Sequence, residues 1–252
     1  MVGPRWLAYL GAVGPTQEHS HHAFQLIRAT EGLLALVDAR GRRAEGTVAV
    51  IPPDTAHRIE HGAARALLVF VDPDDLIGRR LRQLEVGKAS AEWVHAGTPL
   101  LRVQLPAELL HAADWMRLVE GSLMRLVGEA ISPSAVHPAI KRLVTLLPGR
   151  IEAGDVSQRA LAEEVGLSTG RLGHLFSTSV GIPLRPYILW LRLRRATEAF
   201  QDGATLTQAA HIAGFTDSSH LSNAFRRMFG LAPSEVARGI EWVSERPLAP
   251  AK

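Results

Sequence analysis

The sequence predicts a two-domain protein, all-β in its amino-terminal half and all-α in its carboxy-terminal half, and three features carry that prediction. Short apolar runs parted by turn residues fill the first hundred or so positions, the pattern of a β barrel or sandwich. A helix, glycine turn, helix pattern occurs twice in the last hundred positions. Between the two regions, Ser132-Pro133-Ser134 breaks any continuous helix. A chain of 252 residues is long enough for two domains that each bury a core. The expected boundaries are 1–104 for the β domain, 105–135 for a helical linker suited to dimerisation, 136–240 for the helical domain and 241–252 for a tail.

Along the chain, the run from Trp6 through Leu7, Ala8, Tyr9 and Leu10 to Gly14 reads as an opening strand. It has a single preceding charge, Arg5, and an internal glycine, so it is too weak for a leader peptide. No stretch approaches the roughly 18 apolar residues of a membrane helix. Strands follow over 24–28, 33–37, 47–51 and 66–71, separated by Asp38-Ala39-Arg40-Gly41 and Pro52-Pro53-Asp54. A short helix over 76–84 comes after Asp72-Pro73, and a longer one over 106–127 has an apolar face that suits either a dimer contact or its own barrel.

In the carboxy-terminal half, Leu206, Ala209, Ala210 and Ala213 form a first helix, Gly214 a turn, and Leu221, Phe225 and Met228 the buried stripe of a second helix. That stripe leaves Ser218, Ser219, Ser222 and Asn223 outward, with a helix N-cap as the competing role for Ser218 or Ser219. The earlier copy is Leu161, Ala162, Gly166, Leu172, Phe176, Gly181 and Pro183, with Ser168 as N-cap. Gly166 and Gly214 lie 48 positions apart, Phe176 and Phe225 49, and Pro183 and Pro233 50. Tyr187, Ile188, Leu191, Leu193, Ala196 and Phe200 make one connecting helix over 183–200. This is the helix-turn-helix layout, whose second helix enters the major groove; two such helices on a stiff arm would reach successive grooves, ~34 Å apart. Phe176, Phe225, Leu172, Leu221 and Trp190 are expected in the core rather than stacked on bases.

The charge balance agrees with a polyanionic partner. The net charge is only +3, but an isoelectric point near 9.8 leaves cationic surface. Arg192, Arg194, Arg195, Arg226 and Arg227 flank the paired helices and are the expected phosphate neutralisers. The absence of cysteine excludes a disulfide framework and thiolate metal sites, and suits a cytoplasmic location.

Over about residues 137–240 the chain resembles the AraC/XylS family of bacterial transcription regulators. The resemblance is strongest from Gly214-Phe215 to Phe229-Gly230-Leu231-Ala232-Pro233-Ser234, and Tyr187-Ile188, Arg192-Leu193 and Ala196 are similar to the family's connecting helix. It implies that Gly170, Gly173 and His174 reach bases from the first unit, with Thr169 and Arg171 nearer the phosphates. Ser218, Ser219, His220, Ser222 and Asn223 form the corresponding set in the second unit. Asn223 is the strongest base reader, because one amide can donate and accept to adenine. Glycine offers no side chain to read with, so the first unit is expected to act through shape and phosphate contacts, using Arg171 and His174, or through close backbone approach.

The β half holds a second pattern. His19-x-His21-x3-Gln25-x6-Gly32 and Gly46-x5-Pro52-x-Asp54-x2-His57-x3-His61 resemble the two cupin motifs, which implies a cupin-like jelly roll. The match departs at Gln25, where glutamate is usual, at Asp54, where glycine is usual, and at His61, where asparagine is usual. His19, His21 and Gln25 share strand parity and would face one side of a strand, His22 the other, with His57 arriving from a neighbour. They are expected to line an effector cavity or a polar turn, without a cofactor. The alternative is that His19, His21, His57 and Gln25 hold a divalent transition metal such as Zn, Fe, Ni or Cu.

Three functions follow as expectations. The first is a non-enzymatic, effector-responsive DNA-binding regulator that engages promoter DNA, with a homodimer and RNA polymerase as further partners and no membrane. The second is a metal-binding cupin enzyme or metal sensor tethered to a DNA-binding module. The third is a regulator whose β domain only dimerises or contacts RNA polymerase.

Overall fold

The computed structural model describes residues 5–102, 112–127, 136–230 and 232–233. Its amino-terminal half is built from β1 (Trp6–Val13), β2 (Phe24–Glu31), β3 (Leu34–Asp38), β4 (Arg43–Gly46), β5 (Val48–Ile51), β6 (His57–His61) and β7 (Ala63–Val71). These form two antiparallel sheets, ordered β1-β7-β2-β5 and β4-β3-β6.

Strand parity decides where the side chains go. Ile27, Ala49, Ile51, Ala66, Leu68 and Phe70 of the larger sheet join Leu34, Leu36 and Ile59 of the smaller one in the inner core. Their neighbours Leu26, Val48, Val50, Leu67, Val69 and Val71 face the other way. There they meet Ile77 and Leu81 of α1 (Leu76–Arg82), Leu100 of a 3₁₀ turn (Thr98–Arg102), and Val119, Leu123 and Leu126 of α3 (Ala112–Val127). Both faces of this sheet are therefore covered, which is why its strands read as unbroken apolar runs rather than alternating ones.

Burial on α3 resolves the choice left open for the 106–127 helix: Val119, Leu123 and Leu126 cover the protein's own sheet. Residues 106–111 lie outside the described set. A helix that periodicity did not disclose, α2 (Ser90–Ala96), buries Trp93 in the inner core and ties its indole N–H to the Gly87 carbonyl at 3.0 Å.

The second half consists of α4 (Pro138–Glu152), α5 (Gln158–Glu164), α6 (Thr169–Val180), α7 (Leu184–Gln201), α8 (Leu206–Ile212) and α9 (Ser218–Phe229). The duplication seen in the sequence is present in the backbone: α5 and α6 turn at Gly166, and α8 and α9 at Gly214. Both glycines adopt positive φ, 69° and 76°, where a Cβ would be strained. Capping fixes the start of each second helix. Ser168 Oγ accepts from the Arg171 N–H at 3.3 Å, and the Asp217 carboxylate accepts from the His220 N–H at 2.7 Å. Asp217 is thus the cap of α9, the role the sequence left open for Ser218 or Ser219.

The halves meet through buried polar groups as well as apolar ones. Asp72, at the end of β7, is wholly buried and accepts from the Tyr187 hydroxyl of α7 at 3.2 Å and from the Asp74 N–H at 2.9 Å. Arg5 and Arg194 stand 3.7 and 3.8 Å from the same carboxylate. Burial pushes the pKa of Asp72 up and that of Tyr187 well up.

Candidate nucleic-acid interface and a buried histidine cluster

Helices α6 and α9 bury one stripe each, Leu172, Phe176 and Val180 in the first and Leu221, Ala224, Phe225, Met228 and Phe229 in the second. The opposite stripes face solvent. On α9, Ser219, His220, Asn223, Arg226 and Arg227 are exposed, with Ser218 and Ser222 half-buried. Ser222 donates its hydroxyl to the Ser218 carbonyl at 2.8 Å, and His220 is held by Thr216 Oγ1 at 3.1 Å and by the edge of Phe215. Among the described residues no side chain engages the Asn223 amide, which leaves both its donor and its acceptor for a partner.

On α6, Thr169, Gly170, Arg171 and His174 are exposed and Gly173 is half-buried. A Cβ built on Gly170 meets nothing within 4 Å, and one on Gly173 meets only Gln158 Nε2 at 3.4 Å. Packing therefore does not require either glycine.

Three of the arginines expected at phosphates have other tasks. Arg195 pairs with Glu152 and donates its Nε to the Ile212 carbonyl at 2.7 Å. Arg194 lies between Asp72 and Glu198. Arg192 has a buried Nε next to the Gly214 turn, and burial lowers its pKa. These side chains brace α7 against its neighbours, so the cationic outward set reduces to Arg171, Arg226 and Arg227.

The far ends of the two outward-facing helices are gripped by the β half. Arg82 Nη2 donates to the Ser179 carbonyl in the last turn of α6 at 2.7 Å. At the end of α9, the Ser20 N–H reaches the Arg227 carbonyl at 3.3 Å, the His22 N–H reaches Met228 Sδ at 3.1 Å, and Phe229 packs edge-on to Phe70. Gly230 lies so close to His19 and Thr16 that an added Cβ would come within 2.8 Å of His19 Nδ1.

The loop that holds α9 also carries two of the predicted histidines. His19, His21, His57 and Gln25 do converge, with ring centroids 4.3 Å apart for His19 and His57 and 4.9 Å for His21 and His57. The parity argument reached this result by a wrong route: β2 begins at Phe24, so only Gln25 is on the strand. His19 instead bridges to His57 through reciprocal backbone bonds of 2.9 Å. His22 faces elsewhere and pairs with Asp54, whose φ of 55° is the left-handed geometry that a glycine would adopt more readily. His61 is exposed at the end of β6.

Hydrogen bonding fixes the state of the cluster. Each Nδ1 points at a backbone carbonyl, of Gln17, Ala23 and Thr55 for His19, His21 and His57, at 2.9, 2.7 and 2.8 Å, so each Nδ1 carries the proton and donates. The Nε2 lone pairs of His21 and His57 then meet the Gln25 amide at 2.8 and 3.2 Å. An amide presenting its NH₂ there, in place of Oε1, gives one hydrogen to each ring and satisfies the set without charge. Burial keeps the rings neutral, lowering His21 to about 4 and pushing His19 and His57 down.

This donor set does not fit a resident cation. The amide occupies the point on which both ring nitrogens converge, and the carboxylate that would offset an ion's charge is missing. Among the described residues no group of three or more His, Cys, Asp or Glu side chains could hold a metal ion. The alternative of a divalent metal on His19, His21, His57 and Gln25 is the one this geometry does not favour.

Sequence reading missed Asp72, Arg82 and the loop from Thr16 to His22 as joints between the halves. Asp72-Pro73 signalled only the end of a strand, and nothing local marks a carboxylate whose partner is 115 positions away.

Comparison with known proteins places this geometry. A family described as "Helix-turn-helix domain" matches residues 161–239. The Escherichia coli HTH-type transcriptional activator RhaS is 23% identical over 244 residues, covering 89% of this chain and 88% of its own. ToxT from Vibrio cholerae has a similar fold, with a TM-score of 0.56 and 13% identity over 93% of this chain and 98% of that one. ToxT with a bound unsaturated fatty acid gives 0.57 at 13% identity, over 98% and 99%. A β-sheet region followed by paired helices with free outward faces, a helix-turn-helix domain match over 161–239 and a likeness to RhaS along most of both chains make the protein similar to the AraC-type regulators and mark it as a helix-turn-helix DNA-binding transcriptional regulator.

Proposed function

We propose that the chain regulates transcription in response to a small effector sensed by a cupin-like β domain over 1–104, and reads DNA through two helix-turn-helix units within 136–240. In this reading 105–135 is a linker and 241–252 a tail. The observation that carries it is the division along α6 and α9: their outward faces are free, while their far ends are held by the β half. A change in the β half is then felt directly at the readers.

Asn223, Ser218, Ser219, Ser222 and His220 on α9, and His174 with Gly170 and Gly173 on α6, form the base-facing set. Arg226, Arg227, Arg171 and Thr169 face phosphates. His19, His21, Gln25 and His57 are the candidate effector-sensing set of the cupin-like domain, and ToxT's bound fatty acid is a precedent for a ligand within this fold. The protein is not an enzyme in this reading, because among the described residues no carboxylate base or nucleophile accompanies the buried histidines. It acts in the cytoplasm, with RNA polymerase and a second copy of the chain as partners at the promoter. An effector works only through a difference in affinity between two states of the protein.

The test is selection of genomic fragments by the purified full-length protein, followed by footprinting of the recovered duplexes. Protection of two neighbouring major grooves on one face of the DNA is expected. Recovery of no preferred duplex at modest ionic strength would sink the reading.

A further inference from the structure

The two outward-facing helices share one hydrogen bond that the first unit makes with a borrowed side chain. Thr169 and Ser218 open α6 and α9, and Gly173 and Ser222 are the fifth residues of the same helices. In α9 the Ser222 hydroxyl donates to the Ser218 carbonyl at 2.8 Å. Gly173 has no hydroxyl with which to do the same. The Thr169 carbonyl nevertheless receives a side-chain donor, Gln158 Nε2 at 3.3 Å. Gln158 is the first residue of α5, and its counterpart at the start of α8 is Leu206, which can neither donate nor accept through its side chain.

Gly173 leaves the space for this arrangement. A Cβ there would come to 3.4 Å of Gln158 Nε2, so a methyl group just fits and a longer side chain would crowd the amide. Gln158 therefore lies across from α5 onto the first turn of α6, half-buried. Its bond to a carbonyl also settles which end of the amide is which, because only the nitrogen can donate to Thr169. One N–H is used there. The second N–H and Oε1 remain, and among the described residues no donor engages that oxygen. A donor beside an acceptor matches the major-groove edge of adenine, whose N7 accepts and whose N6 amine donates. A phosphate only accepts, and would leave Oε1 facing oxygens of like polarity.

We propose that Gln158 reads an adenine for the first helix-turn-helix unit, filling on α6 the place that Ser222 fills on α9. The inference rests on the regulator reading above and adds a base contact that neither α6 nor α9 carries. Because the bond to Thr169 holds the amide in place beforehand, little side-chain freedom is lost when it meets the base.

The experiment takes a duplex recovered by the genomic selection and measures the affinity of full-length protein for it and for each single-base-pair variant beneath the first unit. Gln158→Ala should weaken the selected duplex about tenfold and flatten discrimination at one A·T pair, with the other pairs discriminated as by the wild type. Exchanging that adenine for 7-deazaadenine, which lacks the N7 acceptor, should cost the wild type about tenfold and Gln158→Ala nothing further. The dependence of affinity on salt should be the same for both proteins, since a neutral amide neutralises no phosphate. Alanine is a good helix former and suits this half-buried position, and a melting curve checks that the variant is folded.

Uniform weakening across all variants would make Gln158 a phosphate contact, and loss spread over several neighbouring pairs would make it a brace for α6; either overturns the proposal. A duplex that is recovered, discriminated and bound unchanged by Gln158→Ala overturns it as well, while leaving the regulator reading intact. Recovery of no preferred duplex overturns that reading, and the adenine contact with it.

Discussion

The two reading helices share a frame and differ in what they present. Both follow a glycine turn, both start from a side-chain cap, and both end on a left-handed glycine, Gly181 in one and Gly230 in the other. Yet α9 shows an unengaged amide and two arginines on its outward side, whereas α6 shows two glycines, one histidine and one arginine. The frame is what folding requires, so both helices share it; the outward positions, which the proposed reading turns towards DNA, differ between them. Packing leaves room for a methyl group at Gly170, so the fold does not require the glycine there. We read α9 as the helix that discriminates sequence and α6 as the one that lies close to the duplex.

The first way to break this comparison is in the frame. Phe176→Ala and Phe225→Ala should each cost ~3–5 kcal/mol in chemical denaturation, since both rings are buried. If one substitution were mild, the two units would not be equivalent scaffolds.

Surroundings provide the next contrast, because only α9 abuts the histidine cluster. His21 is neutral in the fold down to about pH 4, but takes up a proton in the unfolded chain below about 6.5. The unfolded state binds more protons between those values, so stability falls as pH drops from 6.5 towards 4. The loss is on the order of a few kcal/mol for the cluster, and a melting series should show it flattened in His21→Gln.

Asn223→Ala should then lose about 1–3 kcal/mol of discrimination at one base pair, measured against single-base variants of the selected duplex, while His174→Ala loses less. Gly170→Ala should raise stability by roughly 0.8–1 kcal/mol and yet weaken DNA binding. Stabilisation with unchanged affinity would remove the argument for close approach. Smallest of all, Arg226→Ala or Arg227→Ala should lower the slope of log affinity against log salt by about one unit across all sequences. Arg195→Ala should leave that slope alone.

The helical half was legible in the sequence because its signals are local. The stripe Leu221, Phe225, Met228 and the turn glycines lie within a few residues of the contacts they predict. In the β half the runs over 24–28, 47–51 and 66–71 were found as β2, β5 and β7, but β4 and β6 were not. Both are short and largely polar, with exposed side chains on β4, so hydropathy carries no sign of them. Seven-residue α2 is too short for its period to register. At the site, chain order revealed which histidines gather but not that a loop delivers them. Nor could it reveal that Arg194 and Arg195 are engaged by Asp72 and Glu152, since those partners lie far along the chain.

The Asp72 joint has a consequence for anyone dissecting this molecule. Removing residues before the linker would strip Tyr187 of its acceptor and leave Arg194 without its interior counter-ion. A truncated carboxy-terminal fragment would then be a differently braced object, and its grip on a promoter would report on the surgery as much as on the intact regulator.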